Sequence, residues 1–193
     1  MDNQFPSLSN QDKHKVFVSF HSDDQKYRDL FDQHYGEHFI SKSVDFGDID
    51  PDNKDEYIKH LIQQEHISDA SIVVVLYGEN TWRRKHVDWE IYAGLTKKVG
   101  GHSGLMVMIL PTFITRPGVD QLGRVDNSPL YPYLHPRASA NIRSGFISIY
   151  YWPGMYLQHQ SVHVKDAFQN VFSKRITHKD KIDLSDPQYQ NNK

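Results

Sequence analysis

Residues 71–95 read SIVVVLYGENTWRRKHVDWEIYAGL and carry the clearest structural signal in the chain. The run at 71–77 is continuously apolar and β-branched, which is typical of a central strand in a parallel sheet that is buried on both faces. Turn-forming residues follow at 78–81, and Val87 and Ile91 then begin an apolar stripe with helical spacing. We therefore predict a buried strand that leads through a tight turn into a helix.

This helix carries a carboxylate, Glu90, at the edge of its apolar stripe. Around the helix axis, Glu90 lies roughly 60° from Val87 and about 40° from Gly94. The side chain is therefore next to residues that face the core, and we expect its carboxylate to be partly removed from water. In α/β proteins, the turns after parallel strands are where ligands bind.

The composition is that of a globular chain and excludes several classes of function. The 193 residues are 38% hydrophobic and 24% charged, which predicts one domain. The formal charge of −2 provides no basic field, so no nucleic-acid partner is expected. The absence of cysteine excludes disulfides, thiolate nucleophiles and Cys-type zinc sites. No signal peptide and no run of ~20 apolar residues is found, so we expect a cytoplasmic protein without a membrane partner.

Strand and helix patterns alternate along the chain. Besides the helix that carries Glu90, helical patterns begin at Ser22 with a capping box to Gln25, and at Asn53 or Asp55. A last amphipathic helix is predicted at 162–172. This order predicts an α/β fold with a doubly wound, mainly parallel five-stranded sheet. The five predicted strands are 15–20, 43–46, 71–77, 105–110 and 145–152.

We predict a single domain over residues 15–173, between a flexible leader at 1–14 and a polar C-terminal tail at 174–193 that frays. Within the domain, residues 112–144 carry four Pro, two Gly and no sustained period. A long loop or insertion is predicted there. Its aromatic and basic residues suit a lid or a partner surface, and an inert insertion is the alternative.

A ligand site is expected where the winding of the sheet reverses, beyond the carboxyl ends of the strands. For a 2-1-3-4-5 strand order, this point lies between the first and third strands. The sequence places Phe20, His21 and Ser22 there, beside the basic triplet at 83–85. Backbone N–H groups and these cations suit a pyrophosphate, whereas the acidic pair at 23–24 would repel an anion. We therefore expect phosphates near the triplet and the backbone of His21 and Ser22.

Two segments carry a resemblance to a known family. KVFVSFHSDD at 15–24 resembles the first strand and turn of TIR domains. TWRRKHVDWEI at 81–91 resembles the TIR helix segment that carries the glutamate of the NAD-cleaving members. The order and spacing of these motifs, with the late insertion and the strand IYYW, are similar to the TIR-like subunit of the bacterial Thoeris anti-phage defence system. The resemblance covers roughly residues 15–172.

The resemblance implies a three-layer, flavodoxin-like fold and NAD+ as the substrate of an NAD+ nucleosidase or ADP-ribosyl cyclase-like enzyme. Glu90 matches the catalytic glutamate, and nicotinamide is released. The ADP-ribose-derived product, cyclised or conjugated, would be a diffusible nucleotide signal that activates a separate effector after phage infection. Active sites of the family are commonly built across subunits, so a homo-oligomer is expected on activation.

The resemblance also bears on the residues that would hold the dinucleotide. Phe20, His21 and Ser22 match the family's nucleotide-facing first loop. His86 stands where the family often has a tryptophan, four residues before the glutamate. The residues that we expect to contact NAD+ are Phe20, His21, Ser22, Trp82, Arg83, Arg84 and His86.

A single carboxylate is sufficient for this chemistry. The nicotinamide of NAD+ is a cationic ring that leaves as a neutral molecule, so no general acid is needed. The ribose gains positive charge as the bond breaks. A fixed carboxylate such as Glu90 can orient the ribose hydroxyls and strengthen its hold on them as that charge develops.

Three other interpretations of the sequence are an interaction module, a phosphoacceptor receiver and a metal site. In a non-catalytic TIR interaction module, Trp82, Trp89 and the insertion would serve assembly, and Glu90 would be incidental. A phosphoacceptor receiver needs an aspartate at the end of the third strand, where this chain has 76-LYG-78, and is excluded. The pattern H-x-x-E-H at 34–38 is a weak metal signal without a third ligand, so no metal is expected.

Overall fold

The centre of the structure is a five-stranded sheet in which every neighbouring pair of strands is parallel. The computed structural model describes residues 13–42, 62, 67–119, 124–153 and 164–193. The strands are β1 (His14–Ser19), β2 (Phe39–Ser41), β3 (Ile72–Tyr77), β4 (Gly104–Ile109) and β5 (Ser148–Tyr151). Their order is β2-β1-β3-β4-β5, so the winding reverses between β1 and β3. This confirms the predicted α/β class and the flavodoxin-like strand order.

Helices cover both faces of the sheet and make a three-layer structure. On one face, Val73 packs in a hydrophobic cluster with Ile91 and with residues from 130–138. On the other face, Val74 packs in a second cluster with Phe31 and Phe168. The helices are α1 (Gln25–Tyr35), α2 (Lys85–Leu95), α3 (Pro136–Arg143) and α4 (Val164–Thr177). The first cluster therefore lies under α2 and α3, and the second under α1 and α4.

The central strands are buried as their sequences predict. All six residues of β3 and all six of β4 are buried, since each strand has neighbours on both sides and helices on both faces. Full burial of a Val, Leu or Ile side chain stabilises a fold by about 1.5–3 kcal/mol. These two strands therefore anchor the turns that follow them at the carboxyl edge of the sheet.

The start of the first helix differs from the prediction. A short 3-10 turn, Ser22–Asp24, precedes α1, and its cap is His21, whose Nδ1 accepts a hydrogen bond from Asp23 N at 3.0 Å. The predicted capping box between Ser22 and Gln25 is therefore wrong, and Gln25 donates to Asp29 instead. A ring nitrogen of histidine reaches the free N–H of a helix start as a serine hydroxyl would.

Two predicted elements and most of the leader cannot be compared with the structure. The strand predicted at 43–46 lies outside the described residues, and β2 precedes it at Phe39–Ser41. The helix predicted from Asn53 or Asp55 also lies outside them, apart from Ile62, which is buried in the core. Of the predicted leader, residues 1–12 are outside the described part, and His14 already belongs to β1.

The segment predicted as a long loop at 112–144 contains regular structure. A short antiparallel pair, Gly118–Val119 and Val125–Asp126, is followed by a 3-10 helix, Ser128–Tyr133, and by α3. The segment predicted as a long loop or insertion therefore carries regular elements in its described residues, and its status as an insertion stays a prediction. Pro136 stands in the first turn of α3, where its fixed φ favours a helix start. Two of the four prolines that suggest a loop in the sequence, Pro129 and Pro136, thus stand in the first turn of a helix.

The polar C-terminal segment does not fray as predicted. Helix α4 continues to Thr177, and the segment after it returns to α2. Tyr189 is only 9% exposed, and its carbonyl oxygen accepts a hydrogen bond from Trp89 Nε1 at 2.8 Å. Asn192 Oδ1 accepts a hydrogen bond from the backbone N–H of Lys85 at 3.0 Å. Polar contacts hold the segment in place. Because such contacts need no apolar periodicity, the sequence gives no pattern from which this packing could be predicted.

One close approach in the fold can be tested directly. A Cβ atom on Gly104 of β4 would lie 2.2 Å from the carbonyl oxygen of Val171 in α4. Because backbone atoms of a packed helix cannot move aside without disturbing the sheet, Gly104→Ala should lower the free energy of unfolding by about 3 kcal/mol. Urea denaturation followed by circular dichroism measures this change.

The matched control is Gly36→Ala. Gly36 has φ −58°, and a Cβ atom there would have no neighbour within 4 Å. We expect its free energy of unfolding to stay within about 0.5 kcal/mol of the wild type. Equal losses in the two variants would contradict the close packing of β4 against α4.

Candidate functional site

Glu90 lies in the middle of α2 and faces the carboxyl end of β1. Its Oε2 accepts a short hydrogen bond from Ser19 Oγ. The side chain is partly buried, and this burial raises the pKa of Glu90 to about 7, against the lowering effect of the Ser19 hydrogen bond. A carboxylate held in this way is close to half ionised at neutral pH.

The direction of Glu90 follows from the alternation of β1. Val16 and Val18 point to the face covered by α1 and α4, whereas Phe17 points to the face covered by α2. Ser19 has the same orientation as Phe17, and its side chain therefore meets α2. The buried neighbour Ile91 fixes α2 against the sheet and leaves Glu90 over the end of β1.

The three residues after β1 lie in different environments. Phe20 is 8% exposed and packs in the cluster under α1 and α4, so it points away from the Glu90 side of the sheet. Ser22 is exposed and lies in the turn before α1. His21 is buried, and burial together with the nearby Arg84 cation lowers its pKa. Since its Nδ1 accepts from Asp23 N, the neutral His21 ring carries its proton on Nε2.

The crevice between β1 and β3 is occupied by the carboxylate of Asp24. Asp24 is 2% exposed, and its Oδ1 accepts a hydrogen bond from Thr112 Oγ1 at 3.0 Å. A Cβ atom on Gly78 would lie 2.0 Å from Asp24 Oδ2, so only glycine fits beside this carboxyl group. Burial raises the pKa of Asp24. The side chain fills the floor of the crevice and would repel a phosphate there, as the sequence indicated.

The basic triplet at 83–85 lies at the surface, at the start of α2. Arg83 and Arg84 are exposed, and Lys85 is partly exposed. The Arg83 guanidinium carbon lies 5.1 Å from the centre of the Trp82 ring, and Lys85 Nζ lies 5.1 Å from that of Trp89. Positive charge is therefore concentrated on the turn that precedes Glu90.

Trp82 lies in the turn before α2, and His86 lies one helical turn before Glu90, about 40° from it around the helix axis. The Trp82 ring meets Tyr133 edge to face, with ring centres 6.2 Å apart. The His86 ring lies 5.0 Å from that of Trp89. The structure thus places Glu90 beside Ser19, and His21 close to Arg84, whereas Trp82 packs against the segment that was predicted as a loop.

A cavity of about 480 Å³ opens beside Trp82. It is formed by the turn before α2, by residues 128–143 and by the C-terminal segment, and we call it the tail cavity. Its side chains include Trp82, Tyr131, Arg143, Tyr189 and Lys193, and Glu90 is not among them.

Sequence reasoning missed a buried ion pair that supports this region. Arg137 of α3 and Asp88 of α2 are 0% and 1% exposed, and Arg137 Nε donates to Asp88 Oδ1 at 3.1 Å. Asp88 Oδ2 also accepts from the backbone N–H of Tyr189 at 2.8 Å. The available signal was the position of Asp88 between Val87 and Trp89, where a charged residue interrupts an apolar surface.

A second buried polar contact fixes the end of β3. The Tyr77 hydroxyl is hydrogen-bonded to His135 Nδ1, and His135 Nε2 donates to the carbonyl oxygen of Arg84 at 3.0 Å. Burial lowers the pKa of His135 to about 4, so the ring is neutral at physiological pH. A neutral ring with its proton on Nε2 makes both contacts and holds the turn that carries the basic triplet.

Neither a metal centre nor a membrane-crossing helix occurs in the described part of the chain. No group of three His, Asp or Glu side chains in it could hold a metal ion. No helix in those residues is both long and apolar enough to cross a bilayer. The histidine pair at 159 and 163, with spacing that could suit a metal, lies outside the described residues.

The buried ion pair gives a testable prediction. Asp88→Asn would leave the guanidinium of Arg137 buried without a counter-charge, which should cost about 3–5 kcal/mol of unfolding free energy. The matched control is Asp69→Asn, because Asp69 pairs with Lys15 at 3.0 Å where both side chains are more than 40% exposed. That change should cost about 1 kcal/mol or less, measured by urea denaturation. Similar losses in both variants would contradict the buried pair.

Comparison with known families identifies this fold. The family model described as "Thoeris protein ThsB, TIR-like domain" matches residues 17–112. The matched region runs from β1 to the turn after β4, and it includes Ser19, the basic triplet and Glu90. A search of curated proteins found no match. The chain therefore contains a TIR-like domain close to that of Thoeris protein ThsB.

Proposed function

We propose that this protein cleaves the bond between nicotinamide and ribose in NAD+, with Glu90 as the catalytic carboxylate. The observation that carries the proposal is the placement of Glu90: a partly desolvated carboxylate, oriented by Ser19, at the carboxyl end of a parallel sheet. The TIR-like domain adds support, because TIR-like domains include NAD+-cleaving enzymes.

In the bond-breaking step, the electron pair of the C1′–N1 bond passes to the nicotinamide ring, which leaves as a neutral molecule. Positive charge appears on C1′ and the ring oxygen of the ribose. Glu90 in its ionised form accepts hydrogen bonds from the ribose hydroxyls and stabilises this charge more strongly in the transition state than in bound NAD+. No proton has to reach the leaving group, so a second carboxyl group is not required.

The surroundings of Glu90 support this role in two ways. The Ser19 hydrogen bond fixes one carboxylate oxygen and leaves the other for substrate. Partial burial removes competing water, which strengthens hydrogen bonds to the ribose. Because the pKa of Glu90 is raised to about 7, the ionised fraction and therefore the activity should rise with pH through neutrality.

The pyrophosphate of NAD+ needs cations that are free to approach it. Arg83 and Arg84 are exposed on the turn before α2, and His21 lies close to Arg84. We place the pyrophosphate at this turn, since Asp24 occupies the crevice between β1 and β3.

The product of the proposed reaction is an ADP-ribose derivative. It acts as a cytoplasmic signal on a separate effector protein in anti-phage defence. Self-association of the protein completes the active site.

The decisive variant is Glu90→Gln. It keeps the shape of the side chain and an oxygen that can accept from Ser19, but removes the negative charge. Nicotinamide release should fall by at least about 100-fold, with the melting temperature nearly unchanged. Purified protein is incubated with NAD+, with and without lysate of phage-infected cells, and nicotinamide is measured by chromatography.

The matched control is Glu37→Gln, which removes one charge from an exposed glutamate after α1. It should retain wild-type activity. Nicotinamide release that persists in Glu90→Gln would refute the catalytic role. If wild-type protein releases no nicotinamide under either condition, the protein acts as a non-catalytic interaction module instead.

A second variant tests the role of Ser19 as a positioning residue. The hydroxyl of Ser19 stabilises the ionised form of Glu90, so Ser19→Ala should raise the pKa of this carboxyl group further. We expect the acidic limb of the pH–activity profile to move up by about 1 pH unit, the equivalent of one hydrogen bond to a charged group. An unchanged profile with reduced activity would show that Ser19 does not act through the ionisation of Glu90.

A further inference from the structure

The tail cavity lies on the opposite side of α2 from Glu90. Asp88 and Glu90 are separated by about 200° around the helix axis. Asp88 faces α3 and the C-terminal segment, where it contacts Arg137 and the backbone of Tyr189. Since the tail cavity is formed by the same segments, a molecule bound there would not contact Glu90.

Aromatic side chains provide the walls of the tail cavity. Trp82 lies on one side, and Tyr131 and Tyr189 come from the insertion and the C-terminal segment. Leu134 and Pro136 add apolar surface between them. Flat apolar walls of this kind bind planar rings by stacking, and stacking on aromatic side chains stabilises a nucleic-acid base appreciably.

The charged residues that line the tail cavity are both cationic. Arg143 and Lys193 are exposed, and neither Asp nor Glu occurs among the described residues of its lining. The Arg143 guanidinium carbon lies 5.1 Å from the centre of the Tyr131 ring, and Lys193 Nζ lies 4.2 Å from that of Tyr189. The two cations therefore lie over faces of the tyrosine rings and place positive charge at the cavity, which favours a ligand with a negative group.

The walls of the tail cavity are held in place by the surrounding structure. Ser139 Oγ donates to the carbonyl oxygen of Tyr131 at 3.1 Å, which joins the 3-10 helix to α3. Tyr189 is held on both sides of its backbone, by Asp88 and by Trp89 Nε1. A preformed site loses little entropy on binding.

From these observations we propose that the tail cavity binds a small anion with a planar ring, of the size and chemistry of a mononucleotide. The ring packs between the aromatic walls, and a phosphate pairs with Arg143. The volume of about 480 Å³ is within the range of about 300–1,000 Å³ found for small-molecule sites. Arginine suits this role because its planar guanidinium can donate two parallel hydrogen bonds to phosphate.

The test uses the full chain and adenosine monophosphate as the probe, with adenosine and inorganic phosphate as comparisons. Isothermal titration calorimetry should detect binding of adenosine monophosphate. Each comparison compound should bind at least about tenfold more weakly, because adenosine lacks the charge and inorganic phosphate lacks the ring. In an NMR spectrum, the indole N–H signal of Trp82 should shift on titration, and that of Trp152 should not.

Three variants locate the binding. Arg143→Gln should weaken binding of adenosine monophosphate by about tenfold or more, because it removes the phosphate partner. Lys165→Gln removes one positive charge from an exposed position of α4 on the other side of the sheet and should bind like the wild type. Glu90→Gln should also bind like the wild type, whether or not the protein cleaves NAD+.

Three results would overturn the proposal. They are the absence of adenosine monophosphate binding to the wild type, equal affinity in Arg143→Gln and the wild type, and loss of binding in Glu90→Gln. The last result would place the nucleotide at Glu90. Circular dichroism of Arg143→Gln shows whether a loss of affinity reflects a loss of fold, and Arg143→Lys should then restore part of the binding because it restores the charge.

Discussion

The ion pair between Asp88 and Arg137 holds α2, α3 and the C-terminal segment in one arrangement. Both side chains are almost fully buried, and the aspartate also accepts a hydrogen bond from the backbone of Tyr189. Charges removed from water in this way cannot separate without a large loss of free energy. The pair therefore adds a polar constraint to the rotation of α2 that the buried side chains Val87 and Ile91 set against the sheet.

The direction of Glu90 is the main consequence. With Asp88 turned towards α3, Glu90 faces the end of β1 on the other side of the helix, where Ser19 is hydrogen-bonded to it. Partial burial there raises the pKa of the carboxyl group to about 7, which makes it responsive to pH in the neutral range. The tail cavity lies on the Asp88 side. One helix thus separates two environments, one with an acidic group and one lined by cations and aromatic rings.

Elements buried by apolar side chains were predictable. The sequence predicts the burial of β3 from its β-branched run and the burial of α2 from its apolar stripe. In each case the period of the pattern matches the geometry of the element. The structures of the insertion and of the C-terminal segment were not predictable in this way. Helix α3 is short and carries a buried arginine, and the C-terminal segment is attached through backbone and amide groups. Contacts of this kind depend on a distant partner and have no local periodic pattern.

The sequence alone determined the α/β class and the position of Glu90 beside the core, because these follow from side-chain polarity along single elements. The strand order was expected from the resemblance to TIR domains. Only the tertiary structure showed that Asp24 occupies the crevice between β1 and β3, and that the C-terminal segment lines a cavity beside Trp82. Both depend on residues far apart in the chain. Which side chains meet is decided by how the layers pack, and a local pattern holds no information about that.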